Sequence, residues 1–201
     1  SIVYNGEKLA ALELSVPGEH NILNAAASFA CCHQLGVRPE FIAGTLARYH
    51  GTKRRFDIIG TTDGGVLIVD DYAHHPTEIK ATLSAAKKLP HKHIWCLFQP
   101  HTYTRTLALF DDFADAFADA DKLILTDIYA AREQNIYNIS SEKLAERIRR
   151  THPDKDIAYI SDFAEIAERV GAQAEDEDLV ITMGAGDIYK VGRLILDREE
   201  K

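Results

Sequence analysis

The sequence holds no apolar run near the roughly 18 residues that suggest a membrane-spanning helix. Its first residues, Ser1-Ile2-Val3-Tyr4-Asn5-Gly6-Glu7, lack the basic-then-apolar order of a secretion signal. A cytoplasmic location is the expectation. Positive charge is also scarce: 23 Lys and Arg against 31 Asp and Glu give a formal net charge of −8. Nonspecific nucleic-acid binding depends on basic surface, so that class is disfavoured, although a local anion site is not. Cysteine is sparse too. Cys31, Cys32 and Cys96 are odd in number and lack metal-ligand spacing, so they are expected to be small buried hydrophobes in a reducing compartment. The most telling absence is of any G-x-x-x-x-G-K-[ST] phosphate loop in the 201 residues. ATP chemistry would need a phosphate cradle supplied from elsewhere.

What is present is the composition of an ordinary globular protein, 46% hydrophobic and 27% charged. From Gly51 onward, short apolar runs alternate with amphipathic helical patterns. The expected strands are 56–61, 65–70, 93–98, 122–126, 157–160 and 179–183. The expected helices are 76–89, 104–118, 140–151, 162–174 and about 187–197. Helix-separated strands imply parallel βαβ units, hence an α/β, Rossmann-like, mostly parallel sheet with helices on both faces. The first fifty residues read differently. Strands at 2–4 and 9–16 flank Asn5-Gly6, a strong hairpin signal. Pro17-Gly18-Glu19 then leads to a helix over 21–35 closed by Gly36, and Pro39 opens another ending near Tyr49. Two strands and two helices make a small core, so this segment reads as the tail of a preceding domain, with a boundary near His50-Gly51-Thr52. The acidic run Glu175–Asp178 reads as a solvated loop.

Four segments at element boundaries carry residues suited to chemistry. In Gly18-Glu19-His20-Asn21-Ile22-Leu23-Asn24, an Asn in the second helical turn offers both donor and acceptor, as adenine requires; the plainer reading is a cap and an exposed helix residue. Lys53-Arg54-Arg55 is a basic cluster at the expected boundary, and arginine's planar fork suits phosphate and ribose. Asp70-Asp71-Tyr72-Ala73-His74-His75-Pro76-Thr77-Glu78 lies at a strand-to-helix turn, where α/β proteins bind ligands. Pro76 marks a helix N-terminus suited to an anion. His74 and His75 point to opposite faces, so a shared metal ion is disfavoured. In Gln99-Pro100-His101-Thr102-Tyr103-Thr104-Arg105, an arginine in a helix's first turn opposes the dipole unless an anion partners it. The turn Gly184-Ala185-Gly186 is not a G-x-G-x-x-G motif, and two glycines serve tight turns structurally.

In family order, the blocks GEHNILNAAA, GTKRRFD, DDYAHHPTEI, FQPHTYTRT, AARE at 130–133 and MGAGDIYKVG span nearly the whole chain. This set closely resembles the Mur ligases of peptidoglycan synthesis, in particular the member that adds the first amino acid. The resemblance implies three domains, of which this chain would hold the end of the central ATP-binding domain (1–51) and the whole C-terminal Rossmann-like domain (52–201). It implies ATP-dependent joining of L-alanine to UDP-N-acetylmuramate through an acyl phosphate, with Mg²⁺, whose ligands and phosphate loop would lie outside this chain. The missing N-terminal and central domains are the implied partners, and the chain alone is expected to be inactive. Carried over by position, His20 and Asn24 would recognise adenine, and Arg55 and Asp71 the ribose and phosphate region. Tyr72 and His74 would face the reacting centre, with His74 a candidate base by position only. Arg105 would bind the substrate carboxylate or phosphate. Where some members have a second arginine, this chain has Thr102, which puts more weight on Arg105.

Three other readings stand beside this one. A recycling ligase that joins a preformed peptide to UDP-N-acetylmuramate has similar motifs. A non-catalytic binding module could keep the fold. A metal hydrolase could be built on Asp70, Asp71, His74 and His75.

Overall fold

In the computed structural model, which describes residues 1–16, 18–49 and 51–197, Asn5 and Gly6 take left-handed φ values of 50° and 83°, as a two-residue hairpin turn requires. They join β1 (Ile2–Tyr4) to β2 (Glu7–Ala10) with Tyr4 opposite Glu7. The second strand was expected over 9–16. The tight turn instead starts it at Glu7, and a three-residue partner gives it nothing to pair with beyond Ala10. Helix α1 (Glu19–Gln34) ends at Gly36, whose φ is 83°, and α2 (Pro39–Ala47) opens on its proline. Pro17 and His50 lie outside the described residues, as does the side chain of His20.

By contacts the chain divides into two units, Ser1–Thr52 and Lys53–Lys201. In the first, Ala25, Phe29 and Ile42 are the buried hydrophobics, while Ile22, Leu23, Phe41 and Leu35 (84% exposed) face outward. That is why the expectation for two cysteines fails. Cys31 is exposed and Cys32 half-buried, because α1 has little packed against it within its unit. Cys96, in the second unit, is fully buried as expected.

The second unit is the Rossmann-like domain. Its elements are β3 (Asp57–Thr61), β4 (Leu67–Asp71), α3 (Pro76–Ala86), β5 (Ile94–Phe98), α4 (Tyr103–Ala108), α5 (Phe110–Ala114), β6 (Lys122–Leu125), α6 (Ser141–Thr151), β7 (Asp156–Tyr159), α7 (Phe163–Gln173), β8 (Leu179–Met183) and α8 (Tyr189–Asp197). The sheet order is β3-β4-β8-β5-β6-β7. All neighbours are parallel except β3 and β4, whose short connection leaves no room for a crossover and makes them an antiparallel edge pair. The helix expected over 104–118 is two pieces, α4 and α5, broken at Leu109. Its first piece is tied to the rim by Thr106 bonding the Thr102 carbonyl, and Phe113 in the second packs on Phe98.

The strands alternate between two cores. From β5, Ile94, Cys96 and Phe98 face a core built with Ile79 and Leu83 of α3, Phe113 and Phe117 of the α5 region, and Leu144 and Ile148 of α6. Trp95 and Leu97 face the other, with Ile166 and Val170 of α7 and Val191 and Ile195 of α8. Each large side chain so buried contributes roughly 1.5–3 kcal/mol relative to exposure. Both faces of the sheet are covered, which is why β5 and β8 read as continuous apolar runs.

The acidic run before β8 ends in a buried hub rather than a wholly solvated loop. Asp178 is 0% exposed. Its carboxylate accepts from the Trp95 indole at 2.9 Å, the His93 N–H at 3.1 Å, the His93 ring at 3.0 Å and the Glu175 N–H at 3.1 Å. Burial alone would push this carboxyl up, but the Trp95, Glu175 and His93 donors hold it below the usual carboxylate range. A group so depressed stabilises the fold fully above its unfolded value of about 3.9 and loses that contribution as pH falls through its folded value. Asp178→Ala is expected to cost about 3 kcal/mol in urea unfolding at pH 7. The gap between variant and wild type should narrow as the pH is taken below about 4.

Candidate active site at the carboxyl edge of the sheet

Because β8 lies between β4 and β5, the turns that follow these three strands meet at one edge. Arg54 fastens them. Its Nε donates to Asp70 Oδ2 at 3.0 Å, and its Nη2 donates to the carbonyls of Gly184 at 2.7 Å and Gly186 at 3.2 Å. The guanidinium lies over the Tyr72 and Tyr189 rings, at 4.9 and 4.8 Å from their centres. The other Asp70 oxygen accepts from the Thr182 hydroxyl at 2.8 Å. Burial pushes the Asp70 carboxyl up, against the pull of Thr182 and Arg54.

Gln99, at the end of β5, closes the opposite side. Its Oε1 accepts from the N–H groups of Asp187 and Ile188 at 2.7 and 3.1 Å. The glycines of this turn are required by space. A Cβ on Gly186 would stand 2.4 Å from Gln99 Oε1 and 2.8 Å from the Tyr129 ring.

Asp71 is 5% exposed, with its oxygens accepting from the N–H groups of Phe56 and Ala73, each at 2.7 Å. Burial raises its pKa, opposed first by the Ala73 and Phe56 N–H groups. The carboxylate expected on ribose or phosphate is thus turned into the protein, where it fixes the backbone beside Arg55 and Tyr72. Arg55 is on the surface, its Nη1 3.9 Å from Glu78 Oε1 and its guanidinium 5.6 Å from the Tyr72 ring centre. Asn24 is exposed on α1 in the other unit.

Three histidines line this edge, and their neighbours decide their tautomers. The Nδ1 of His74 is 3.0 Å from the Tyr72 carbonyl, which can only accept, so Nδ1 carries the proton. The Nδ1 of His75 accepts from the Thr77 N–H at 3.2 Å, capping α3, so its neutral ring is protonated on Nε2. The Nδ1 of His101 faces Arg105 Nη1 at 3.5 Å, which makes it an acceptor too. His74 and His101 have ring centres 5.8 Å apart, and His101 stacks on Tyr129 at 5.5 Å. Burial, then the nearby charges of Arg105 and His74, lower the His101 pKa. His74, His101 and Arg105 thus lie in one continuous chain of contacts.

Sequence reasoning did not single out His101, Tyr129, Gln99 or Glu133. The bridge between His101 and Tyr129, and Glu133 accepting from the Thr104 N–H at 2.9 Å, join segments about 30 residues apart. Only FQPHTYTRT and AARE as blocks pointed there. Thr102, left-handed at φ 66°, is the cap of a six-residue α4, so the dipole argument for Arg105 carries less weight than its contact with His101.

Residues 54–186 match the family described as Mur ligase, glutamate ligase domain. The chain belongs to the Mur ligase family. Over its full length it is 49% identical to the UDP-N-acetylmuramate–L-alanine ligase of Caldanaerobacter subterraneus, and over 96% of its length 49% identical to that of Clostridium novyi. It spans 43% and 42% of those relatives, so this Mur ligase chain corresponds to less than half of either. Among solved structures, UDP-N-acetylmuramate–alanine ligase from Thermotoga maritima aligns over 98% of this chain and 41% of its own, with 27% identity and a TM-score of 0.80. A further Mur ligase from the same organism, solved in complex with ADP, shares the fold at 21% identity and a TM-score of 0.65, covering 91% of this chain and 39% of its own.

Arg54→Lys keeps the charge and loses the fork that reaches both glycine carbonyls. It is expected to lower stability by about 2 kcal/mol, measured by urea unfolding, with the Gly184 amide, which donates to the Asp71 carbonyl, losing hydrogen-exchange protection.

Proposed function

We propose that this chain is the adenine-binding segment and C-terminal domain of a UDP-N-acetylmuramate–L-alanine ligase, acting in the cytoplasm. The observation that carries this reading is 49% identity, along the entire chain, to a relative of that name. The exposed hydrophobics of the first unit favour its being the end of a larger central domain, residues 1–51, with 52–201 as the C-terminal domain.

ATP, when bound, supplies the phosphoryl group that activates the muramoyl carboxylate as an acyl phosphate, and the amine of L-alanine then displaces phosphate. The chain's cations suit these anions. Arg55 offers an exposed guanidinium to the ribose–phosphate region, on a backbone held by Asp71. Asn24 and His20 serve the adenine. Arg105 binds the carboxylate of L-alanine or the transferring phosphate, and Tyr72 forms the wall beside His74. His74, with its Nε2 lone pair open, takes the proton the amine must lose, a role worth about 10²- to 10⁴-fold where positioned. Asp70 and Asp71 are spent on internal donors and do not fit a Mg²⁺ site. Among the described residues no three His, Cys, Asp or Glu side chains gather as metal ligands. Mg²⁺ is expected to be held by the part of the enzyme outside this chain.

The isolated chain should release no ADP when given ATP, UDP-N-acetylmuramate and L-alanine, and turnover by it would overturn the fragment reading. In the full-length enzyme, Arg105→Ala should lower kcat/KM for L-alanine about ten- to a hundredfold, the loss of a charge-assisted contact. An unchanged value removes Arg105 from the site.

A further inference from the structure

Glu78 stands between the two halves of this site. It is the third residue of α3, and its Oε2 accepts from the N–H of His74 at 3.1 Å and of His75 at 3.3 Å. A capping glutamate ordinarily bonds the backbone of the cap residue alone; this one also places Oε2 3.5 Å from the His74 ring nitrogen Nδ1. Its second oxygen, Oε1, lies 3.9 Å from Arg55 Nη1. One carboxylate thus touches the residue offered to nucleotide and the residue offered to the amine.

The imidazole beside it is held on three sides. Nδ1 donates to the Tyr72 carbonyl at 3.0 Å with Glu78 Oε2 3.5 Å away, and the ring meets Tyr72 edge-on at 5.4 Å and His101 at 5.8 Å. Both oxygens facing Nδ1 can only accept, so the neutral ring keeps its lone pair on Nε2. Among the described residues Nε2 has no hydrogen-bond partner, and the side chain is 20% exposed, open enough to be reached.

We propose that Glu78 is a positioning residue for His74. Its carboxylate fixes the ring with Nδ1 protonated and Nε2 open, and supplies the negative charge that steadies the imidazolium when Nε2 takes a proton. The use made of that proton rests on the ligase reading above; the positioning itself does not. The electrostatic work falls to Glu78 because the other charges around His74 divide. Arg55 reaches it through Glu78, and on the far side His101 is backed by Arg105, with Glu133 beside them. Burial raises the Glu78 carboxyl, but the His74 N–H, the His74 ring, the His75 N–H and Arg55 outweigh it and hold the group ionised below the usual range.

Glu78→Gln tests this, because it keeps an oxygen for the two N–H groups and removes the charge. Nitrogen-15 NMR of the 201-residue chain, with His74 assigned through His74→Gln, reads the tautomer of the neutral ring directly. Wild-type His74 should show protonated Nδ1 and bare Nε2, the reverse of His75. In the variant a second population protonated on Nε2 should appear, because one of the two acceptors facing Nδ1 has lost its charge. In the full-length ligase the rate should fall about tenfold. A neutral His74 ring whose nitrogen shifts superimpose on wild type overturns the proposal. If the tautomer population changes and the rate does not, the positioning stands and the role given to His74 in the ligase reaction falls. Should Glu78→Gln not fold, Glu78→Asp, which withdraws the carboxylate by one methylene, should give a smaller population of the second tautomer, and none counts against the proposal.

Discussion

The edge of the sheet is organised by one guanidinium. Arg54 bonds the carboxylate at the end of β4 and two carbonyls of the turn after β8, and lies over two tyrosine rings. Its other neighbours inherit their places from this. Tyr72 has one face against Arg54 and presents another to His74. The Tyr72 N–H bonds the Arg54 carbonyl at 2.7 Å, so the basic segment and the β4 turn cannot move apart separately. Arg54 keeps its own backbone left-handed at φ 63°, a conformation that costs of order 1 kcal/mol or more and persists where the surroundings dictate it.

The acidic groups of the domain divide by burial. Asp70, Asp71 and Asp178 are interior and satisfied: the first by Arg54 and Thr182, the second by backbone N–H groups, the third by Trp95, His93 and Glu175. A buried carboxylate stripped of such partners costs several kcal/mol, so their spacing along the chain reflects strand ends that must be closed. Glu78, less buried, lies beside Arg55 and His74 at the surface of the edge. The two adjacent aspartates of the motif thus both accept from donors inside the domain.

Much of the fold was legible because both faces of the sheet are covered. Runs such as Ile94–Phe98 and Leu179–Met183 are apolar throughout, and the helices between them show their own period. The hairpin at Asn5-Gly6 and the helix starts at Pro39 and Pro76 were equally plain, since each is a local steric or hydrogen-bonding requirement. The misreadings share a cause. The break at Leu109, the burial of Asp178 and the exposure of Cys31 all depend on what packs against them from distant sequence, or fails to.

The sequence alone determined the α/β class, the family resemblance and the strand-to-helix turns, because periodicity, capping and motif spacing are local. Tertiary structure decided that β8 enters between β4 and β5, bringing three turns from opposite ends of the domain to one edge. It also decided which way each polar group faces. Asp71 turns inward, His74 and His75 take opposite tautomers, and Glu78 lies between Arg55 and His74, since such choices depend on donors and acceptors that only folding brings within 3 to 4 Å.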